Sequence, residues 1–215
     1  MRNPLISWLL PRCIGKIRRL RWFLHYVVFL SFECSTLKSV SLGRRCSFQV
    51  PVRVAGGRGE LKIGEKNCFG FHMAPHFGSG ALLIQPRNRD ALIEIGNSNL
   101  FSNNISLCAN EKISIGHGCQ VGDQVSIYDC DFHEIDPATR ALSHGPTSPV
   151  IIGHNVWLGS RVMVLKGVTI GTNSVVGAMS LVTKSIPSNC VAAGMPAQII
   201  RHFSDSELDG RTTQK

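Results

Sequence analysis

Residues 149–184 read PVIIGHNVWLGSRVMVLKGVTIGTNSVVGAMSLVTK, in which Ile152, Leu158, Val164, Ile170, Val176 and Val182 set an aliphatic side chain at every sixth position. The phase continues upstream at Ile115-Gly116, Val121-Gly122 and Ile127, and more raggedly at Leu42-Gly43, Ile63-Gly64 and Ile95-Gly96. A period of six matches neither the 3.6 of an α-helix nor the pairing of hairpin strands. It matches a chain that returns to one orientation every six residues, as a three-sided β-coil does. Each hexapeptide is then a short strand and a corner, and three of them close a turn. The aliphatic residue points inward, and the Gly or Asn after it makes the corner. Residues 40–195 are expected to form about seven coils stacked ~4.8 Å apart, a rod of roughly 35 Å around one narrow aliphatic column.

Composition agrees with this picture. The 215-residue chain is 43% hydrophobic, which excludes disorder and collagen, while 21 Gly and only 7% aromatic residues suit many corners and a column with little room for Trp or Phe. Its 23 Lys and Arg exceed its 14 Asp and Glu by nine charges, which favours an anionic partner: nucleic acid, lipid surface or phosphorylated small molecule. Nucleic acid is the weakest of these, because no binding module or interleaved aromatic platform is present. Eight cysteines without a C-x-x-C spacing read as reduced, mostly buried thiols.

The apolar run from Trp22 to Phe32 contains His25, is too short to span a bilayer and is followed by no small-residue cleavage site. Neither a secretory leader nor a transmembrane anchor is expected. Arg2, Arg12, Lys16, Arg18, Arg19 and Arg21 stand beside Leu, Ile, Trp and Phe, a pattern for one or two amphipathic helices. Two readings stay open for them, a cap or subunit-packing helix, which is favoured, and an interfacial segment drawn to anionic lipid.

Between Ile127 and Ile152 the spacing is 25 where six is the rule, so the chain leaves the coil between Tyr128 and Val150. Long excursions from a regular solenoid carry function more often than not, and this one holds Asp129, Asp131, His133, Glu134, Asp136, Arg140 and His144. A loop histidine is either a solvated side chain or a general base. Acyl transfer to an alcohol needs a group that removes the hydroxyl proton during attack, and neutral imidazole suits that at ordinary pH. Zinc chemistry would need three converging ligands, which His72, His76, His117 and His133 do not supply at a closing spacing. No metal is expected, and His117 and His154 read as exposed corner residues.

Two stretches, Pro149 to Arg201 and HEIDPATR from His133 to Arg140, resemble the left-handed β-helix hexapeptide acyltransferases, in particular the maltose, galactoside and polysaccharide O-acetyltransferases. The resemblance covers about residues 90–201. It implies that His133, at the head of an H-x-L-D-x-x-x-R pattern with Ile135 replacing Leu, is the general base. It implies that Ser160 supplies an oxyanion N–H and that Asn103 in FSNNIS touches the acceptor. Trp157, Gly159, Ala178, Thr183, Lys184 and Arg201 match donor-contacting positions, the two cations facing the phosphates of acetyl-CoA. Asn110 or Glu111 falls near a usual acidic acceptor ligand, in an uncertain register.

The expectation is an all-β left-handed parallel β-helix: a basic helical segment at 1–38, the acyltransferase domain at 39–200 with its loop at 128–150, and a tail at 201–215. A short cap covers Pro196 to Glu207. The resemblance implies a homotrimer of parallel prisms with each site between two subunits. The expected activity is acetyl transfer from acetyl-CoA to a sugar hydroxyl in surface polysaccharide synthesis, in the cytoplasm or at the inner membrane face. The alternatives are N-acetylation of a nucleotide-linked amino sugar and a non-catalytic or metal-binding β-helix.

Overall fold

A computed structural model describes residues 19–71, 74 and 80–208. Most of the basic amino-terminal segment (Arg2, Arg12, Lys16, Arg18), together with His72 and His76, lies outside them. The chain is a left-handed parallel β-helix of three sheets. Sheet A holds β1 (Ser39–Leu42), β4 (Glu60–Ile63), β7 (Leu92–Ile95), β10 (Lys112–Ile115), β13 (Val150–Ile152) and β16 (Thr169–Ile170). Sheet B holds β2 (Ser47–Phe48), β5 (Cys68–Phe69), β8 (Leu100–Phe101), β11 (Gln120–Val121), β14 (Trp157–Leu158), β17 (Val175–Val176), β19 (Cys190–Gly194) and β20 (Ala197–His202). Sheet C holds β3 (Val52–Arg53), β6 (Leu82–Pro86), β9 (Ser106–Ala109), β12 (Ser126–Tyr128), β15 (Met163–Val164) and β18 (Leu181–Val182). Six complete coils are thus followed by the start of a seventh, at Ile186 beside Ile170 of β16 and then β19.

Parallel register stacks identical positions on one another, so each sheet sends its inward residues into continuous columns. In sheet A one column is Leu42, Ile63, Ile95, Ile115, Ile152 and Ile170. In sheet C one includes Ile84, Leu107, Ile127, Val164 and Val182. The ragged upstream spacing is real repeat, with the extra residues held at corners.

Two expectations need correction. Sheet B's column runs Phe48, Phe69, Phe101, Val121, Leu158, Val176, Ala192, so the prism does admit rings at its first three coils. The spacing between coils is itself a ring-stacking distance: the Phe48–Phe69 and Phe69–Phe101 centroids are 5.1 and 5.2 Å apart. The second concerns the corners. The glycine after each sheet-A aliphatic does not adopt the left-handed conformation; that falls two residues later, as at Asn155 (φ 51°) and Asn173 (φ 60°). Glycine is required by proximity, since a Cβ on Gly153 would lie 2.7 Å from the Thr172 amide nitrogen and one on Gly116 2.6 Å from the Gly153 oxygen.

Side-chain ladders finish these corners. The Asn97 N–H donates to His117 Nδ1 (2.7 Å) and the His117 N–H to His154 Nδ1 (3.0 Å), with the two rings parallel at 4.9 Å. Both histidines therefore serve the stack. Asn67 and Asn99 are buried one corner position later, where the Asn99 N–H donates to Asn67 Oδ1 and the Cys119 N–H to Asn99 Oδ1. The seven described cysteines are free, and burial pushes the Cys34 and Cys108 thiols up to about 11.

The amino-terminal end is closed by α1 (residues 19–31), whose Tyr26 and Phe29 rest on Phe48 at 5.6 and 5.0 Å. Its other face leaves Leu20, Phe23 and Leu24 exposed. No helix among the described residues is long and apolar enough to cross a membrane. At the opposite end the cover is mainly strand: β20 folds antiparallel onto β19, and only α2 (Asp205–Leu208) is helical.

Phe69 is fully buried with a ring stacked on each face, Phe48 and Phe101, so its loss leaves a ring-sized hole in the column. Phe69→Ala should lower unfolding free energy by about 3–5 kcal/mol in urea titrations, with the fold retained by circular dichroism.

Candidate active site

The long loop leaves sheet C after β12 and rejoins sheet A at β13, so it is rooted on the corner between those sheets. Its root is a buried carboxylate. Asp129 accepts the N–H groups of Asn110 (2.8 Å), Glu111 (2.7 Å) and Lys112 (2.8 Å), which ties the loop to the preceding coil. The returning limb is held by the Ser148 N–H on the Asp129 carbonyl, by Thr147 Oγ1 on Glu111 and by the ion pair of Lys166 with Asp131.

The HEIDPATR segment organises itself. Asp136 accepts the Ala138 N–H through its side chain and the Thr139 N–H through its carbonyl, and the Arg140 guanidinium returns to the Ile135 carbonyl at 3.1 Å. Phe132 precedes the histidine at φ 66°, unusual for a bulky residue, and its ring lies edge-on to Tyr128 with the Arg87 guanidinium 5.1 Å over it. Gly145 closes the loop against the histidine backbone: a Cβ there would lie 2.4 Å from the His133 carbonyl oxygen.

The imidazole of His133 is exposed and meets the Arg140 carbonyl through Nδ1 at 3.2 Å. A carbonyl can only accept, so in this bond Nδ1 carries the proton, which in the neutral ring leaves the lone pair on Nε2. A group in that state can take a proton from a hydroxyl. His133 opens onto a cleft of about 540 Å3 whose lining includes Arg58, Arg87, Arg89, Asn110 and His144. Sequence reasoning did not single out the three arginines.

The residues matched to the donor lie elsewhere. Trp157 is half-exposed on sheet B and Ser160 stands at the corner between sheets B and C, together lining an apolar hollow of about 300 Å3 with Phe71 and Leu100. Among the described residues no carbonyl accepts the Ser160 N–H, and any side chain at Gly122 would reach within 2.6 Å of that nitrogen. Gly159 has the same relation to Ala178, whose nitrogen a Cβ would approach to 2.6 Å. Thr183 and Lys184 are exposed after β18. Arg201, on β20, pairs with Glu207 at 3.0 Å and lies over Phe203.

Asn103 is fully buried at the corner between sheets B and C, where its Oδ1 accepts the Phe71 N–H. Within one chain the whole of sheet C therefore separates His133 from Asn103, Trp157 and Ser160. Among the described residues no three His, Cys, Asp or Glu side chains converge as a metal would require.

Comparison with known proteins places relatives beside this geometry. A model of the bacterial transferase hexapeptide (six repeats) matches residues 149–184. Galactoside O-acetyltransferase of Escherichia coli (strain K12) is 37% identical over 115 residues, covering 54% of this chain and 56% of that protein. The protein named "Putative colanic acid biosynthesis acetyltransferase WcaF", from the same strain, is 32% identical over 130 residues, 53% of this chain and 71% of its own length. A solved galactoside acetyltransferase in complex with coenzyme A aligns with TM-score 0.56 and 25% identity over 93% of this chain and 86% of its own. The chain spans about half the length of the curated galactoside relatives it matches.

The root carboxylate generates a prediction. Asp129→Asn puts an amide NH2 where backbone N–H groups now donate, so at least one of those bonds is lost. Stability should fall by about 2–3 kcal/mol by chemical denaturation, and the loop's amides from 130 to 148 should exchange hydrogen faster.

Proposed function

Because the chain belongs to the hexapeptide-repeat acyltransferase family, we propose that it moves an acetyl group from acetyl-CoA to a sugar hydroxyl, in the making of a surface polysaccharide. The observation that carries this reading is the placement of His133, held through Nδ1 by the Arg140 carbonyl at the edge of a cleft large enough for a sugar.

His133 Nε2 takes the hydroxyl proton as the oxygen attacks the thioester carbonyl. The carbonyl electrons move onto its oxygen, which the Ser160 N–H stabilises, and return as the carbon–sulfur bond breaks. The thiolate leaves and takes the proton from the imidazolium. One O–H and one C–S bond are exchanged for one C–O and one S–H bond, with no acyl-enzyme. Trp157 and the backbone at Gly159, Ala178 and Thr183 border the pantetheine arm, and Lys184 and Arg201 meet its phosphates, Arg201 giving up Glu207 to do so. Asn103 acts on the acceptor by holding the segment at Phe71.

One chain cannot assemble this site, since His133 and the Ser160 N–H stand on different corners. A ring of parallel prisms, three in number, sets the loop corner of one subunit against the donor corner of the next. The exposed apolar face of α1 is available for packing between subunits, which we favour, or for the inner face of a membrane.

The test is release of free thiol from acetyl-CoA with a sugar acceptor. His133→Ala should lower that rate by at least ~100-fold with the fold unchanged. The product's acetyl group should be removed by mild alkali, as an ester is and an amide is not.

A further inference from the structure

We propose that the cleft beside His133 takes an acceptor sugar carrying a negative charge, held by Arg58, Arg87 and Arg89. This rests on that cleft being the acceptor side of the transferase proposed above.

The three arginines are far apart in sequence and meet because the coils stack. Arg58 lies on the corner between β3 and β4, Arg87 and Arg89 on the corner between β6 and β7, and the His133 loop on that same edge two coils further on. All three are exposed and line the cleft with His133. Among the described residues none is in an ion pair, the guanidinium of Arg87 rests on Phe132, and those of Arg58 and Arg89 make no hydrogen bond. No Asp or Glu is among the lining residues. Around the loop, Asp129 is used by backbone amides, Asp131 by Lys166, Glu111 by Thr147 and Glu134 by Ser143, and Asp90, next to Arg89 in the chain, does not line the cleft.

Asn110 also lines the cleft, its Nδ2 buried beneath the surface and without a hydrogen-bond partner among the described residues. Three exposed guanidiniums and no carboxylate form a site for an oxyanion.

The donor's phosphates do not account for it. Lys184 and Arg201, proposed to face them, lie beyond β18, toward the carboxyl end of the prism, whereas the arginines lie on the amino-terminal side of the loop. Carboxylate and phosphate share the required chemistry, so a sugar acid and a phosphorylated sugar are the two sources to separate.

Titration calorimetry of the full chain with galacturonate, glucose 6-phosphate, galactose and glucose tests this. At least one anion should bind ~10-fold or more tightly than its neutral counterpart and weaken with added salt. Preference for galacturonate identifies a sugar acid, and preference for glucose 6-phosphate a phosphorylated sugar. Arg58→Ala/Arg89→Ala, which removes no side-chain hydrogen bond or ion pair among the described residues, should weaken the anion at least ~10-fold and, in the transfer assay, raise its KM while the KM for acetyl-CoA holds. Equal binding of neutral and anionic sugars, or unchanged anion binding in the double variant, would overturn the proposal. The two readings fail separately. Anion binding that depends on the arginines without acetyl transfer to any sugar removes the transferase reading, and transfer to galactose as fast as to either anion removes only the requirement for charge.

Discussion

The close approach of each corner to the corner beneath it is the constraint on which the structure depends. Coils joined by parallel hydrogen bonds cannot drift apart, and where Gly116 sits on Gly153 and Gly153 on Thr172 a single methyl group would not fit. That distance fixes everything above it: the inward columns stay in register, ring stacks on ring from Phe48 to Phe101, and the corner ladders of His117 and His154 form. A stack this regular is a poor place for chemistry and a good support for it. The catalytic candidate sits on an excursion from the coil, anchored by the buried Asp129 to three amides of the coil before.

The same regularity keeps the two halves of the chemistry apart. Residues on one corner of a straight prism stay on that corner through every coil, so the His133 cleft collects Arg58, Arg87, Arg89 and Asn110 while Ser160 and Trp157 collect with Phe71 and Leu100. Bending cannot join the two sets. The proposed reaction needs both sets, and so calls for a second copy of the chain.

Much of this was legible in the sequence, for a physical reason: an inward aliphatic at every sixth position survives as spacing, and the loop is visible as its longest interruption. What was misread is what spacing does not encode. Phe48, Phe69 and Phe101 lie in the ragged coils, where inserted residues hide that they occupy one column. The glycine after each aliphatic looked like a turn former because its role, leaving room for a neighbouring coil, is not local. The arginine cluster was invisible for the same reason, since Arg58, Arg87 and Arg89 converge only once the irregular corner lengths are known. Asn103 shows a further limit: its distance in sequence from the loop does not say which corner it occupies, and within one chain that corner is not the one that carries His133.

The most direct test of a catalytic site divided between chains is complementation. His133→Ala removes the proposed base, and Ala178→Trp fills the exposed donor corner, so each variant alone should be inactive. Mixed one to one, unfolded and reassembled together, they should recover about one quarter of the wild-type rate, because one in four subunit junctions pairs an intact histidine with an intact donor corner. Absence of any recovery, with both variants folded and assembled into mixed oligomers, would contradict the account and return the site to a single chain.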